Sequence, residues 1–473
     1  MSDRTQGGPE SRTLEMEGVP RRSGANPSRS VLTVVLECAR PLAGGARWDV
    51  TDFDEIMIGR GSARALEPGN DPRSRALRLP DRRVSTRHAR IFRAEDGRRF
   101  LEDLGSTNGS RLDGRLVEGP VPLPDRAEIE VGGSFLVFDA QAAPAKERVL
   151  GLDAERAPRV PFGMATLVPR LEALFSDVTQ IAITNAPILV LGETGTGKEL
   201  LARAIHELSG RSGPFVGINC GALAGTVLES QLFGHVRGAF SGAERDEPGL
   251  IRASDRGTLF LDEIGELPKT AQATLLRVLQ EREVLPVGGT RPIKVDFRLV
   301  AATLRPIDQL GDGFRSDLYA RVAGFTVRLP PLRERREDVG LVLASALRGL
   351  PAERAQTLRI TPELARALLA YAFPYNAREL HQALSVAVTL TKADELGLDA
   401  LPPAFRRAEE RPAAPVEPSE LDEDTSRLRA ELVERLAATG GNVSEVARAM
   451  GRTRMQIHRW MKRFGVDPET FRR

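Results

Sequence analysis

Cysteine is scarce: only Cys38 and Cys220 occur in 473 residues, and they lie far apart. That excludes a disulfide framework or a thiolate zinc cluster and fits a reducing compartment. No apolar run approaches the ~18 residues of a membrane span, and the N-terminus lacks the positive-then-apolar pattern of a secretory signal. The expectation is a cytoplasmic chain with no membrane partner. Net charge is also missing. Lys and Arg number 67 against 65 Asp and Glu, leaving +2, so overall charge names no partner although its distribution does. The length suits about three domains.

The most informative stretch is Ile188–Glu199, ILVLGETGTGKE. Four apolar residues read as a buried strand, and a glycine-rich turn follows. Leu200, Leu201, Ala204, Ile205 and Leu208 then recur at helical spacing. Strand, Gly-x4-Gly-Lys and helix form a phosphate-cradling P-loop. Gly192, Glu193, Thr194, Gly195, Thr196, Gly197, Lys198 and Glu199 are its nucleotide-binding residues. Successive N–H groups converge on phosphate oxygens, the helix N-terminus adds positive potential, and Lys198 reaches the terminal phosphates. Glu199 stands where a Ser or Thr usually ligates Mg²⁺. A second strand, Gly257–Glu263, ends in Asp262 and Glu263. Asp262 is placed to hold Mg²⁺ beside the P-loop, and Glu263 to orient the water that attacks the γ-phosphate.

Residues 1–30 are rich in Gly, Pro, Ser and Arg without periodicity and read as a disordered tail. Residues 31–140 carry short β-type runs (Val31–Glu37, Glu55–Ile58, His88–Phe92, Arg99–Leu101 and Ser134–Phe138). Asp96-Gly97, Asp113-Gly114 and Gly132-Gly133 punctuate them, the signature of a β-sandwich. Between the strands lie Gly59-Arg60, Ser85-Thr86-Arg87-His88 and Ser106-Thr107-Asn108-Gly109. Arginine, hydroxyls and an amide on adjacent loops are the donors a phosphate dianion needs. This set resembles the forkhead-associated (FHA) domain, a phosphothreonine-peptide reader. The resemblance implies that Arg60, Ser85, Thr86 and Asn108 face the phosphate while His88 holds the loop.

Residues 141–160 read as a linker. From about 165 to 400 the chain resembles the AAA+ domain of the sigma-54-dependent transcription activators, with an α/β subdomain over 161–330 and a helical lid over 331–405. The specific pieces are Glu229–Ala243 with its Gly-Ala-Phe-Ser-Gly-Ala at 238–243, Gly313–Arg321, Leu329–Asp338 and Phe373–Leu380. The resemblance implies ATP as the nucleotide and a sigma-54 contact through Phe240 and Ser241 on a mobile loop. It makes Arg315 and Arg321 arginine fingers supplied across a ring, hexameric when active; the lesser alternative for each is a local pair with a nearby acid such as Asp317. Asn219 matches the position that restrains the catalytic glutamate, and Arg378 the lid contact to nucleotide. Where the family senses the γ-phosphate with asparagine this chain has Leu304, which leaves Thr303 as the candidate. Tyr375 replaces a usual glycine.

Residues 406–424 are proline-rich and acidic, a second linker. In 425–473, Leu428, Leu432 and Leu436 mark an amphipathic helix over Arg427–Ala438. Ala447, Gly451 and Ile457 have the spacing of a helix-turn-helix, with Ser444 placed to cap its first helix. Six basic residues and no acidic ones fall between Arg448 and Arg463, an electrostatic footprint for DNA phosphates. This end resembles a Fis-type helix-turn-helix. Arg452, Thr453, Arg454, Gln456, His458 and Arg459 are the DNA-binding candidates.

The fold class expected is an all-β FHA-like sandwich, an α/β P-loop AAA+ domain with helical lid, and a small all-α helix-turn-helix domain. The function expected is a sigma-54-dependent activator that binds upstream DNA and remodels sigma-54 RNA polymerase by ATP hydrolysis. Its input would be a phosphothreonine on a partner protein or on its own tail, at Thr5 or Thr13. Two other classes stay open: a DNA-binding repressor with a vestigial motor, and a protein-remodelling ATPase.

Overall fold

The computed structural model describes residues 29–142, 151–155, 164–222, 225–304, 313–409 and 431–451, with 454, 457, 460, 461, 466 and 468–471 beyond them. Among the described residues the first unit has thirteen strands: β1 (Arg29–Glu37), β2 (Ala46–Asp49), β3 (Glu55–Arg60), β4 (Ala65–Pro68), β5 (Ser74–Leu79), β6 (Ala89–Arg93), β7 (Arg99–Asp103), β8 (Ser110–Leu112), β9 (Arg115–Leu116), β10 (Val121–Pro122), β11 (Ala127–Val131), β12 (Ser134–Ala142) and β13 (Gly151–Asp153). They form two sheets, ordered β13-β2-β1-β12-β11-β8-β9 and β10-β7-β6-β3-β5-β4. Leu32, Val34, Leu136 and Phe138 of one sheet meet Ile56, Ile58, Leu77 and Ile91 of the other in a closed core. The arginine- and proline-rich insertion between Arg60 and Ser85 becomes the β4–β5 hairpin, with β5 parallel to β3.

Part of the stretch read as the first linker is strand. Gln141 and Ala142 finish β12, and β13 adds an edge to β2. A buried charge explains the edge. Arg64, 2% exposed, binds Glu37 at 2.8 Å and Asp153 of β13 at 2.6 Å. A guanidinium so deep requires carboxylate partners.

The second unit is a parallel sheet of β14 (Ile188–Leu191), β15 (Phe215–Asn219), β16 (Thr258–Asp262), β19 (Arg298–Thr303) and β20 (Phe325–Arg328), ordered β15-β16-β19-β14-β20. A short hairpin of β17 (Glu283–Val284) and β18 (Ile293–Lys294) stands apart from it. Helices α1 (Pro169–Ala182), α2 (Lys198–Leu208), α3 (Gly225–Phe233), α4 (Gly249–Ala253), α5 (Lys269–Glu281) and α6 (Ser316–Val322) accompany the sheet. Strands covered on both faces read as continuous apolar runs, as Ile188–Leu191 does. Loops at the carboxyl ends of β14, β16 and β19 converge on one crevice, the usual ligand position in such sheets.

The lid follows as α7 (Val339–Leu347), α8 (Ala352–Thr357), α9 (Pro362–Ala370), α10 (Asn376–Leu390) and α11 (Pro403–Glu409). The second linker therefore starts inside a helix, because Phe405 stacks on Tyr371 with centroids 4.1 Å apart. Residues 410–424 lie outside the described residues. The lid core does not end at the lid: Val35, Leu36, Cys38, Phe135 and Val137 of the β-sandwich share it with Val339, Leu343, Ile360 and Leu364.

At the C-terminal end, residues 431–438 and Val443–Ala449 are helical. Leu432, Leu436, Val446, Ala447, Ile457, Trp460 and Met461 form their core. Gly451 takes φ +60° at the turn. The cap is Asn442, not Ser444: the Asn442 side chain accepts from the Ser444 N–H at 3.1 Å. Asn442 has extended backbone and Ser444 is already helical, so only the former can turn a side chain onto the orphan N–H groups. Residues 427–430 lie outside the described residues.

Candidate nucleotide site and its companions

The loop after β14 turns with Gly195 at φ +80° and Gly197 at φ +104°. Lys198 opens α2, 7% exposed, with its ammonium donating to Gly192 O at 2.9 Å and lying 3.3 Å from Glu263 Oε1. Glu263 sits just beyond β16 with φ +51°, a conformation a non-glycine residue rarely takes. Its other oxygen accepts from the Leu304 N–H at 3.0 Å. The carboxylate is thus aimed into the crevice by a backbone twist and two donors. Burial pushes the Asp262 carboxyl above its ordinary value, while Lys198 pulls it back down. Leu304 serves the site through its backbone, its side chain being 44% exposed, and Thr303 beside it is buried.

Other expected residues stand differently. The Glu199 side chain is exposed and paired with Arg203 at 2.7 Å, one turn along α2, so only its backbone remains at the helix N-terminus. Thr196 spends its hydroxyl on Glu193 O at 2.8 Å. Asn219 ends β15 in register with Asp262 and accepts from Gly221 N at 2.9 Å; no hydrogen bond joins it to Glu263 among the described residues. Arg315, just before α6, binds its neighbour Asp317 at 2.7 Å, and Arg321 donates to Leu279 O at 3.2 Å. Both are exposed, so within one chain the two arginines contact their own surroundings.

A grip from the lid side went unpredicted. Arg333 pairs with both oxygens of Glu193 at 2.5 and 2.8 Å, and buried Arg335 donates to Thr196 O at 2.8 Å. Asn376, fully buried at φ +55°, donates to Thr194 O at 2.9 Å and accepts from Leu332 N at 2.7 Å. The Ala377 N–H reaches Gly195 O at 3.1 Å. A Cβ at Gly195 would meet Tyr375 O at 2.1 Å and the Arg378 Cβ at 3.1 Å. The glycine is needed both for its φ and for this approach. Tyr375 itself has φ −109°, so no glycine is required there.

Phe240 is 46% exposed on a loop between Gly238 (φ +82°) and Gly242 (φ +102°), with exposed Ser241 next to it. Its ring leans on His235 with centroids 4.9 Å apart, and His235 is held by Ser230 at 2.8 Å. The loop between β17 and β18 supports it from below, with Val236 N donating to Val287 O at 3.1 Å.

In the β-sandwich, Arg60, Thr86 and Asn108 are exposed and Ser85 is half-buried. Three loops bring them together: Arg60 N donates to Ser85 O at 3.0 Å, Thr107 N to Ser85 Oγ at 3.2 Å, and Asn108 Nδ2 to Arg83 O at 2.7 Å. His88 is fully buried, accepting from Ser85 N at 3.0 Å and donating to Gly109 O at 3.2 Å. Burial lowers its pKa, which keeps the ring in the neutral form these two bonds require. Arg82, Arg83 and Arg87 are exposed on the same loop; their clustering beside Ser85 was the available signal for them. At the C-terminal end Arg454 is exposed, while Arg452, Thr453, Gln456, His458 and Arg459 lie outside the described residues. Among the described residues no helix is long and apolar enough to cross a membrane.

Comparison with known proteins gives a consistent picture. Family models match for the sigma-54 interaction domain over residues 164–328, the FHA domain over 56–132, the AAA+ ATPase lid domain over 333–418 and a homeodomain-like domain over 424–468. The regulatory protein AtoC of Escherichia coli is 40% identical over 309 residues, 63% of this chain and 67% of AtoC. The transcriptional regulatory protein ZraR of Salmonella typhimurium is 39% identical over 324 residues, 67% of this chain and 72% of ZraR. Among solved structures, NtrX from Brucella abortus in complex with ADP aligns at 29% identity and a TM-score of 0.47, over 64% of this chain and 70% of NtrX. The chain belongs to the sigma-54-dependent transcriptional activators, and it is an ATP-binding AAA+ ATPase with an FHA domain before the motor and a helix-turn-helix after it.

Proposed function

We propose that this chain binds upstream DNA through its C-terminal domain, assembles a ring, and uses ATP hydrolysis to press Phe240 and Ser241 against sigma-54 until RNA polymerase opens the promoter. The observation that carries this reading is an aromatic side chain exposed on a loop with glycine flexibility on both sides, inside the domain that turns over ATP. An exposed aromatic gains little unless it meets a partner surface.

In the motor, Lys198 neutralises terminal phosphate charge, and the loop N–H groups from Gly192 to Glu199 cradle the oxygens. Glu263 accepts the proton of the attacking water, its position set by Lys198 and the Leu304 N–H. The acid pair at the end of β16 fits Mg²⁺, which needs few protein ligands because water and substrate phosphates complete its shell. Asp262 would be the protein ligand, and the ion would supply charge neutralisation at the β- and γ-phosphates. Thr303 and Arg378 report nucleotide state from either side, and Asn219 engages Glu263 in another state of the cycle. Arg315 and Arg321 leave their local partners for a neighbour's phosphates when the hexameric ring closes, since an arginine finger acts across a boundary.

The FHA domain reads phosphothreonine with Arg60, Ser85, Thr86 and Asn108, on a partner protein or on the chain's own tail. Arg454, with Arg452, Thr453, Gln456, His458 and Arg459, provides the DNA contact.

The test is open-complex formation by the full chain and ATP on a sigma-54 promoter with its upstream region. ATP-dependent opening is expected. DNA binding without opening would instead establish the repressor with a vestigial motor.

A further inference from the structure

The β-sandwich has a second end, away from the loops that gather Arg60, Ser85, Thr86 and Asn108. Two of those loops follow β3 and β7, whereas Arg93 ends β6 and Arg99 begins β7. Phe92 of β6 lies opposite Glu55, the first residue of β3, so the β6–β7 turn sits beside the start of β3. A cavity of about 760 Å³ opens there. Four arginines line it, Arg73, Arg93, Arg98 and Arg99, against one carboxylate, Asp52; Pro122 and Leu123 add an apolar wall.

Arg99 is the unusual member. It is 7% exposed, and its Nη2 donates to Val50 O at 2.9 Å and Thr51 O at 3.4 Å. Its Nη1 is buried and makes no hydrogen bond, and no carboxylate pairs with it among the described residues. Desolvation and the neighbouring Arg93 charge push its pKa down to about 10, so it stays cationic at neutral pH. Arg93 donates to Thr51 O at 2.7 Å, while its Nε is buried without a hydrogen bond, 3.7 Å from Asp54. Arg73 and Arg98 pair with Asp54 and Asp96 at 2.8 and 2.6 Å.

Two other buried arginines show what a deep guanidinium normally has. Arg64 has the carboxylates of Glu37 and Asp153. Arg298 sits on Ile181 O and Ala182 O, at the C-terminal end of α1, where helix carbonyls carry negative potential. Arg99 has neither, and a buried cation without counter-charge is costly.

We propose that this end of the sandwich binds a small phosphate-bearing molecule, its phosphate between Arg99 and Arg93 and its organic part against Leu123 and Pro122. A phosphate dianion supplies counter-charge to both guanidiniums and acceptors for Arg99 Nη1 and Arg93 Nε, the donors left over. The cavity exceeds a bare phosphate and falls in the ~300–1,000 Å³ range of small-molecule pockets. β7 runs five residues from this end toward the phosphothreonine loops, ~14 Å of strand, so one phosphate cannot serve both.

The probe is inorganic phosphate titrated into the full chain, with potassium chloride at matched ionic strength as the control for screening. Amide exchange is read at Val50 and Arg93, whose N–H groups donate to Ser30 O and Asp54 O around the cavity. Exchange at Arg60 and Leu201 reports phosphate at the other two loops. An amide that opens only from the ligand-free site slows by 1 + [L]/Kd. Val50 and Arg93 should therefore slow about tenfold when phosphate reaches ten times its dissociation constant. Arg99→Gln should abolish this, leaving the Arg60 and Leu201 responses as in wild type. Exchange at Ile91 and Leu101 of the sandwich core shows whether that variant is folded; if it is loosened, half-buried Arg93→Gln, read at Val50, decides in the same way. No slowing beyond the chloride control at about 20 mM phosphate, enough to fill a millimolar site, overturns the proposal. So does slowing that survives the substitution in a folded sandwich.

Discussion

Two regions of this chain gather cationic and hydrogen-bond donors, and they differ in how those donors are kept. In the motor, Lys198 is buried and bonded to Gly192 O and Glu263, and the loop is gripped by Arg333, Arg335 and Asn376. In the FHA domain, Arg60, Arg82, Arg83 and Arg87 stand exposed around Ser85 on a loop fixed from beneath by buried His88. A catalytic cradle exchanges internal partners for ligand and so couples occupancy to lid position. A reading site keeps its charges in water and its geometry in a rigid base, so that binding needs little rearrangement. On the proposed function, one region would convert phosphate chemistry into motion, and the other would detect phosphate without moving far.

The sharpest way to break this contrast is Glu263→Gln. If the twisted carboxylate is the proton acceptor, turnover falls by ~100-fold or more while ATP binding stays within a few-fold, as nucleotide titration would show. A turnover rate equal to wild type would remove Glu263 from the chemistry. Next in size is Arg60→Ala, where losing one charge-assisted contact costs ~1.5–3 kcal/mol. Affinity for a phosphothreonine peptide should drop at least tenfold by calorimetry, with ATP turnover by the isolated chain unaltered. Equal loss of turnover would show that the two regions are not separable.

The smallest effect lies at the seam between them. Burial raises the Glu128 carboxyl from 4.5 to about 7, with Arg336 of the hinge pulling it down. An acid whose pKa is raised in the folded state costs nothing below its ordinary value; the cost grows as pH rises from 4.5 to 7 and is then constant. Glu128→Gln, neutral throughout, should raise the thermal midpoint by a few degrees at pH 8 and progressively less toward pH 5. A gain that is the same at both pH values would remove ionisation as its cause.

What could be read from the sequence follows the range of the signal. The P-loop, the acid pair and the helix-turn-helix core are set by spacings of a few residues, and local geometry fixes their chemistry. The lid grip could not be read this way, because Asn376 is 182 positions from Thr194 and its left-handed backbone has no sequence mark. Strand β13 was hidden inside an Ala-, Pro- and charge-rich stretch, since three residues give no periodicity. The Asn442 cap was missed because two capping residue types stand two positions apart, and only backbone conformation separates them. One long-range signal was present in the strand Val31–Glu37. VLTVVLE is apolar on both faces, the pattern of a strand covered on both sides, and the lid is what covers the outer one.

If ATP turnover serves to drive Phe240 against sigma-54, removing the ring should separate hydrolysis from promoter opening. Wild type and Phe240→Ala are assayed side by side for ATP turnover and for open complexes on a sigma-54 promoter. Turnover within about twofold of wild type is expected, since Phe240 is exposed and its ring contact is to His235, together with loss of open complexes. Open complexes formed as well by Phe240→Ala as by wild type would contradict it.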